Sequence, residues 1–344
     1  GPSGTETHDY IISVSVSDGT DGDAAMATVT VNNVGPVLSG LSNSSPEGGG
    51  ASEGHIVTVS ASFSDPGVLD THTATIEWGD GTSTSGTVTE SGGLGTAEGG
   101  HVYESGGIYT IAVSVTDDDG GRDTETTTAV VSGVGLHNGV LQIIGTNEND
   151  HVFVQDVRRG DLLVFADFRG GRRVERYAGA AVSQIDIRMY GGNDQAHVGA
   201  RVRTPAFIDG GAGNDILHGG SGADILLGGL GRDLLFGGRG RDLIIGGLGA
   251  DLLMGSFSDD ILIGGTTEYD EDSEALYDIQ AIWTSEEDHA TRVAILKDTT
   301  RPTYLTEGET VWNDDSVDFL FGGPARDWLF YDLDLDRVFG GSRR

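Results

Sequence analysis

The 344-residue chain has no cysteine, which excludes disulfide staples, thiol redox chemistry and thiolate zinc sites. Basic residues are scarce: 20 Lys and Arg stand against 54 Asp and Glu, a net charge of −34. Such a balance repels phosphate backbones and anionic membrane surfaces, so nucleic acid is excluded as a partner. Proline is sparse and no Gly-X-Y period exists, which excludes a collagen-like rod. No run of about 18 apolar residues is present, so no helix is expected to insert into a membrane, and the opening GPSGTETHDY lacks the basic and apolar regions of a signal peptide. Catalytic signatures are missing too. There is no HExxH and no thiol nucleophile, and no enzymatic activity is expected.

What the chain does have is glycine, 57 residues of it, far above average usage and concentrated in local repeats. The negative charge opposes compaction unless something cationic neutralises it, and a metal ion is the obvious candidate.

Residues 10–18, YIISVSVSD, and 109–117, YTIAVSVTD, share one period-two alternation, and VNNVG at 31–35 matches VSGVG at 131–135. Two copies of one β module are implied, the first keeping only its end at 1–34, so the chain is expected to begin inside a domain of a longer protein. Residues 35–133 form the complete copy. On "WGDGT" at 78–82 and "HVYESGGIYTIAVSVTDDDG" at 101–120, this copy resembles the polycystic kidney disease (PKD) type of Ig-like domain. The resemblance implies an extracellular spacer or binding module. Asp117–Asp119 with Asp80 offer carboxylates for an interdomain ion, although a plain solvated turn is the simpler reading.

From 134 to 208 the strands lose regularity, and "GTNENDHVFV" and "GGNDQAHV" look like degraded repeats. This stretch is read as capping strands, since the ends of a solenoid are atypical. At Gly210 the regular frames begin: GGAGNDILH, GGSGADILL, GGLGRDLLF, GGRGRDLII, GGLGADLLM and GSFSDDILI. Six frames in register, within 209–265, resemble the RTX, or haemolysin-type, calcium-binding nonapeptide repeat, a match to a pattern already known for that family.

The residues support the same reading. A six-residue glycine-rich turn followed by three apolar residues makes half a coil, so Asp residues 18 apart stack on one edge. Asp215, Asp233 and Asp251 form one ladder and Asp224, Asp242 and Asp260 the other. Carboxylates about 4.8 Å apart repel by roughly 3 kcal/mol at an effective dielectric near 20. A Ca²⁺ ion between turns reverses that sign, because it takes about six to eight oxygens that Asp and turn carbonyls supply. Roughly four ions are expected in the regular core. Serines at 256 and 258 replace glycines in the last frame and are expected to distort the Asp260 site. Mg²⁺ is disfavoured, since it keeps an octahedral, water-rich shell.

The middle strand residues, Leu217, Leu226, Leu235, Ile244, Leu253 and Leu262, are expected to fill the core, yet their flanking neighbours are apolar as well and require a cover. Residues 266–317 interrupt the repeat. There Leu276, Ile279, Ile282 and Trp283 recur at helical spacing, as do Ala290, Val293 and Leu296 after a cap signal at Ser285, and Glu286, Glu287 and Asp288 are read as a solvated first turn. The repeat resumes over 318–344 with Asp318 and Asp327, and "DLDLD" at 332–336 reads as a half-buried edge strand.

The expected fold is therefore mainly β: an Ig-like, PKD-like sandwich followed by a right-handed parallel β-roll with a small helical insert. The RTX resemblance implies type I export and folding where calcium is abundant. The expected function is a secreted or cell-surface calcium-binding structural or adhesive module, with a protein or glycan partner not identified by the sequence. The rival is the accessory and secretion region of a larger type I-secreted hydrolase or toxin whose catalytic domain lies upstream.

Overall fold

A computed structural model describes residues 7–17, 20, 22–46, 50–157, 160–168 and 171–343. Of the 1–34 segment, residues 1–6, 18–19 and 21 lie outside the described residues. The chain divides into two compact units at Val131/Ser132, with Ser105–Gly107 belonging to the second.

In the first unit, Thr7–Ser17 and Gly22–Asn32 form an antiparallel hairpin, whose Ile11, Val16 and Met26 are exposed. The sandwich follows. Strands Val37–Asn43, Ile56–Ser64 and Leu94–Val102 pair antiparallel in one sheet, and His72–Glu77 pairs with Gly107–Asp117 in the other. Ser83–Ser91 serves both, its first half pairing with His72–Glu77 and its second with Leu94–Val102. Period-two alternation sends Val57, Val59, Ala61 and Phe63 inward against Ile76, Ile111 and Val113, all nearly inaccessible to solvent.

The WGDGT turn closes this core. Trp78 is fully buried, and its Nε1 donates to Thr84 Oγ1 at 2.9 Å. Tyr103 donates to the Trp78 carbonyl at 2.8 Å and stacks on Tyr109. Tyr103 and Tyr109 of the HVYESGGIY stretch are thus packing residues. Asp80 holds the turn itself, accepting from Thr82 N and Oγ1 and contacting His101 Nε2 at 2.7 Å.

The second unit is a roll of two parallel sheets. Residues 18 apart are paired: Ile216, Leu234 and Leu252 on one sheet, and Ile225, Leu243 and Ile261 on the other. Each nine-residue frame therefore crosses from one sheet to the other. The middle residues, from Leu217 to Leu262, are completely buried between the sheets, joined by Leu320 and Leu329 of the resumed repeat.

The cap over 134–208 is a mixed sheet. Val140–Ile144, Gln184–Arg188 and Ala206–Asp209 continue one sheet in parallel, and His151–Asp156 and Gln195–Val198 continue the other. An antiparallel excursion, Leu162–Phe168 and Gly171–Tyr177, extends from His151–Asp156.

Helices α1 (Ser273–Trp283) and α2 (His289–Leu296) cover one sheet only. Leu276, Ile279, Trp283 and Leu296 pack on the outward residues Phe207, Ile225, Leu227, Leu243, Ile245, Ile261 and Ile263. Ile282 and Val293 are half-buried, while Ala290 is exposed. The cap residue of α2 is Asp288, which accepts from Thr291 N, so Glu286 and Glu287 precede the helix and the expected start at Ser285 is corrected. The reason is position: Asp288 stands immediately before the helix, where its Oδ1 accepts from Thr291 N and satisfies one of the free N–H groups. The other sheet keeps an open outward row, in which His197, His218 and Phe236 pack ring against ring in succession and Leu234, Phe319 and Phe339 are partly exposed. His218 thus has a packing role on that face.

Candidate metal centre

Every turn of the roll repeats one rung. The backbone N–H of each Asp donates to Oδ1 of the Asp one turn further along: Asp215 to Asp233 at 2.7 Å, Asp233 to Asp251 at 2.8 Å and Asp251 to Asp318 at 2.8 Å. On the opposite edge Asp224 donates to Asp242 and Asp242 to Asp260, both at 2.9 Å, and Asp260 to Asp327 at 3.0 Å. The insert is looped out between Asp251 and Asp318. All eight residues singled out by the sequence fall in these two ladders.

One oxygen of each carboxylate is engaged by the ladder or the turn around it. The other is not. Oδ2 of Asp215, Asp224, Asp233, Asp242, Asp251, Asp260, Asp318 and Asp327 is buried without a hydrogen-bond partner. These oxygens point at the glycine that opens their own turn. A Cβ placed on Gly228 would lie 2.7 Å from Asp233 Oδ2 and 2.3 Å from the Gly246 carbonyl; on Gly237 it would lie 2.4 Å from Asp242 Oδ2. Each turn therefore holds a small cradle beside a carboxylate oxygen, closed in the Gly228 turn by a carbonyl oxygen, that any side chain would fill.

Burial is the main cause that pushes these acids up: Asp215 and Asp327 to about 6, Asp233, Asp251 and Asp318 to about 7, and Asp260 to about 9. Asp224 and Asp242 are raised well above the usual carboxylate range for the same reason. A neighbouring carboxylate of the ladder adds to the shift at Asp233, Asp242, Asp251, Asp260 and Asp318. As the fold stands, no group donates to these Oδ2 atoms. A buried polar atom left in that state costs about 1–3 kcal/mol, more when charged. A hard divalent cation satisfies carboxylate and carbonyl together, and the all-oxygen donor set with no imidazole or thiolate suits Ca²⁺.

The last regular frame departs from expectation. Its rung is intact, with Asp260 accepting from Asp242 as the others do. The disturbance lies in the backbone instead: Ser256 takes φ 96°, where the equivalent Gly238 takes 100°. The expected distortion of the Asp260 site is corrected accordingly, because the serine adopts the glycine's backbone angle and leaves the rung in place.

Three ladder members escaped the sequence reading. Asp150 donates to Asp194 Oδ1 at 2.7 Å and Asp194 to Asp215 Oδ1 at 2.7 Å, so the first ladder begins in the cap. At the far end Asp318 donates to Asp336 Oδ1 at 2.9 Å. The expected edge strand at 332–336 is thereby corrected: Leu333–Leu335 is a turn, held by Asp332 accepting from Asp334 N. Alternation of Asp and Leu there reflects turn capping and a ladder end rather than a pleat.

In the first unit, Asp117 accepts from Asp119 N, Gly121 N and Asn33 Nδ2, and groups with Asp65 and Asp70, their carboxylates within 4.8 Å of one another. Asp80 belongs to the WGDGT turn and is not in that group, so the structure does not assemble Asp80 with Asp117–Asp119.

An antiparallel sandwich and a parallel roll with two aspartate ladders define a β-roll protein built to hold hard cations. Comparison with known families agrees: residues 47–132 match the PKD domain, and residues 207–235 and 236–266 match the RTX calcium-binding nonapeptide repeat. The chain thus carries a PKD domain and a calcium-binding β-roll module, in that order. No curated protein matches the chain. No helix among the described residues is long and apolar enough to cross a membrane.

Proposed function

We propose that the chain is a secreted or cell-surface structural and adhesive module, without catalysis of its own, whose roll folds when it binds Ca²⁺ outside the cell. The observation that carries the reading is the column of buried, partnerless Asp Oδ2 atoms facing glycine cradles. Bound calcium would supply the charge that lets these carboxylates sit together. In the regular core the ladders Asp215–Asp233–Asp251 and Asp224–Asp242–Asp260 would hold roughly four ions between turns, and Asp318 and Asp327 would extend them. Scarce calcium would leave the roll unfolded for type I export, and abundant calcium outside would fold it. The partner of the adhesive surface would be a protein or glycan.

Calcium titration followed by far-UV circular dichroism tests this. Chelator should abolish the ordered β signal of residues 132–344, and millimolar calcium should restore it cooperatively. The sandwich, with its own core of Trp78, Tyr103 and Ile111, should stay folded throughout. An unchanged spectrum in excess chelator would refute the reading. The rival role, as the tail of a type I-secreted hydrolase or toxin, makes the same demand of the roll, and a catalytic domain encoded upstream of residue 1 would select it.

A further inference from the structure

The nonapeptide pattern starts at Gly210, but the geometry that makes a cation cradle does not. Asp194 reproduces a regular rung at both ends: it accepts from Asp150 N at 2.7 Å and donates to Asp215 at 2.7 Å. It is wholly buried, and its Oδ2 has no partner. Asp150 is wholly buried too; its Oδ2 accepts from Thr146 N and Oγ1 at 2.6 and 3.0 Å, which leaves Oδ1 without a partner.

A cradle is present as well, although the oxygen that faces it, Asp150 Oδ2, is the one held by Thr146. A Cβ on Gly145 would lie 2.9 Å from Asp150 Oδ2 and 3.0 Å from the Met189 carbonyl. In the repeats a Cβ on Gly210 would lie 2.6 Å from Asp215 Oδ2 and 2.8 Å from the Gly228 carbonyl, so the Met189 carbonyl stands where a repeat glycine carbonyl stands. The cap turns also stack in register, because Asn149, Asn193 and Asn214 form a ladder beside the aspartates, with Asn193 N donating to Asn149 Oδ1 and Asn214 N to Asn193 Oδ1, both at 2.8 Å.

We propose that the column on the first edge begins in the cap, with a further divalent-cation site between Asp150 and Asp194, and that it is closed at the other end by Asp336. The ligand class is a hard, oxygen-seeking cation, Ca²⁺ by the donor set. This rests on the reading of the repeats as calcium sites. Asp336 differs from the rest: its Oδ1 accepts from Asp318 N and its Oδ2 from Asp332 N at 2.6 Å, so the protein itself satisfies both oxygens there. The opposite edge has no such extension, since the residue donating to Asp224 Oδ1 is Ala206, which brings no carboxylate.

The test is the number of calcium ions bound per full-length chain, counted by native mass spectrometry and by equilibrium dialysis with radioactive calcium. Asparagine replacements keep the size and one acceptor. Asp150→Asn and Asp194→Asn should each bind one ion fewer than the parent, because the turn of Asp194 opens on Met189 and not on a glycine, and Asp336→Asn the same number. Asp150→Asn at the parental count overturns the cap site. Should Asp194→Asn fail to fold in calcium, Asp150→Asn, at the outermost cradle, still decides. Asp233→Asn, inside the repeats, separates the two levels: if it too leaves the count unchanged, the calcium reading of the whole column fails, whereas a lower count for it alone refutes only the cap.

Discussion

At the scale of single residues, the nonapeptide frame is a set of steric demands as much as a set of ligands. A Cβ at Gly231, the fourth position, would stand 1.5 Å from the Gly213 carbonyl of the adjacent turn, and at Gly249 the same distance from Gly231. No rotamer change relieves a clash between Cβ and backbone, so Gly231→Ala should disrupt the stack. Its cost should exceed about 3 kcal/mol, beyond ordinary helix or strand penalties for leaving glycine, and urea unfolding in calcium would measure it. Ser256 tests the converse. It holds a positive φ of 96° in a position that glycine fills elsewhere, which costs about 1–2 kcal/mol. Ser256→Gly should therefore raise the midpoint of urea unfolding in calcium, by about 1 kcal/mol in free energy after the glycine's extra unfolded entropy is subtracted. A lower midpoint for Ser256→Gly would show that the turn is not strained. These positions were legible because six frames repeat without a gap. Asp150 and Asp194 were not, because they stand 44 and 21 residues from their ladder neighbours in frames whose glycines are largely replaced, and hydrogen bonds rather than spacing reveal them. Asp336 keeps the regular spacing of 18 from Asp318, but the turn before it holds no glycine.

At the scale of elements, the apolar stripe of the insert and the apolar outer row of the sheet demanded each other, and that pairing could be read from alternation and helical period alone. What the period could not reveal is how the insert is fastened. Trp283 is fully buried, donates to the Asp259 carbonyl at 2.7 Å and lies under the Arg292 guanidinium, 4.6 Å from the ring. Arg292, itself buried, reaches Asp259 Oδ2 and the Trp283 carbonyl, each at 2.6 Å. Gln280 Nε2 donates to the Arg241 carbonyl at 2.7 Å, and Arg241 donates to the Ser285 carbonyl at 2.8 Å. Polar contacts with the turns thus register an apolar lid on the sheet. Trp283→Ala should cost the calcium-loaded roll about 3–5 kcal/mol and loosen the cover over Leu243, Ile261 and Trp328, which share its cluster. The exposed row should then bind hydrophobic dye and promote association seen by light scattering. A monodisperse variant of parental stability would mean that the lid is held by its polar clamps alone.

At the scale of the whole molecule, the net charge of −34 and the buried ladders make proton and calcium compete for the same oxygens. Burial raises Asp194 to about 8 and Asp233, Asp251 and Asp318 to about 7 in the ion-free fold, from an unfolded value near 3.8. Between about pH 4 and 7 the ion-free fold then binds more protons than the unfolded chain, so its stability falls as pH rises through that window. Without calcium the roll should be most ordered in mild acid and least ordered at and above neutral pH. With calcium the dependence reverses, because ligation needs the deprotonated acids and loses ground as they are protonated. Calcium binding in mild acid near pH 5.5, where the ion-free roll should be ordered, should accordingly release several protons per chain, visible as a calorimetric heat that scales with the ionisation enthalpy of the buffer. At pH 9 the release should fall, since most of the carboxylates, in the unfolded chain and in the ion-free fold alike, are already ionised. Neither outcome depends on the number of ions bound. A heat that does not vary among buffers at pH 5.5, or an ion-free roll equally ordered at pH 5 and pH 8, would show that the ladder carboxylates are ionised before calcium arrives and that the column is not held together by the exchange of protons for metal.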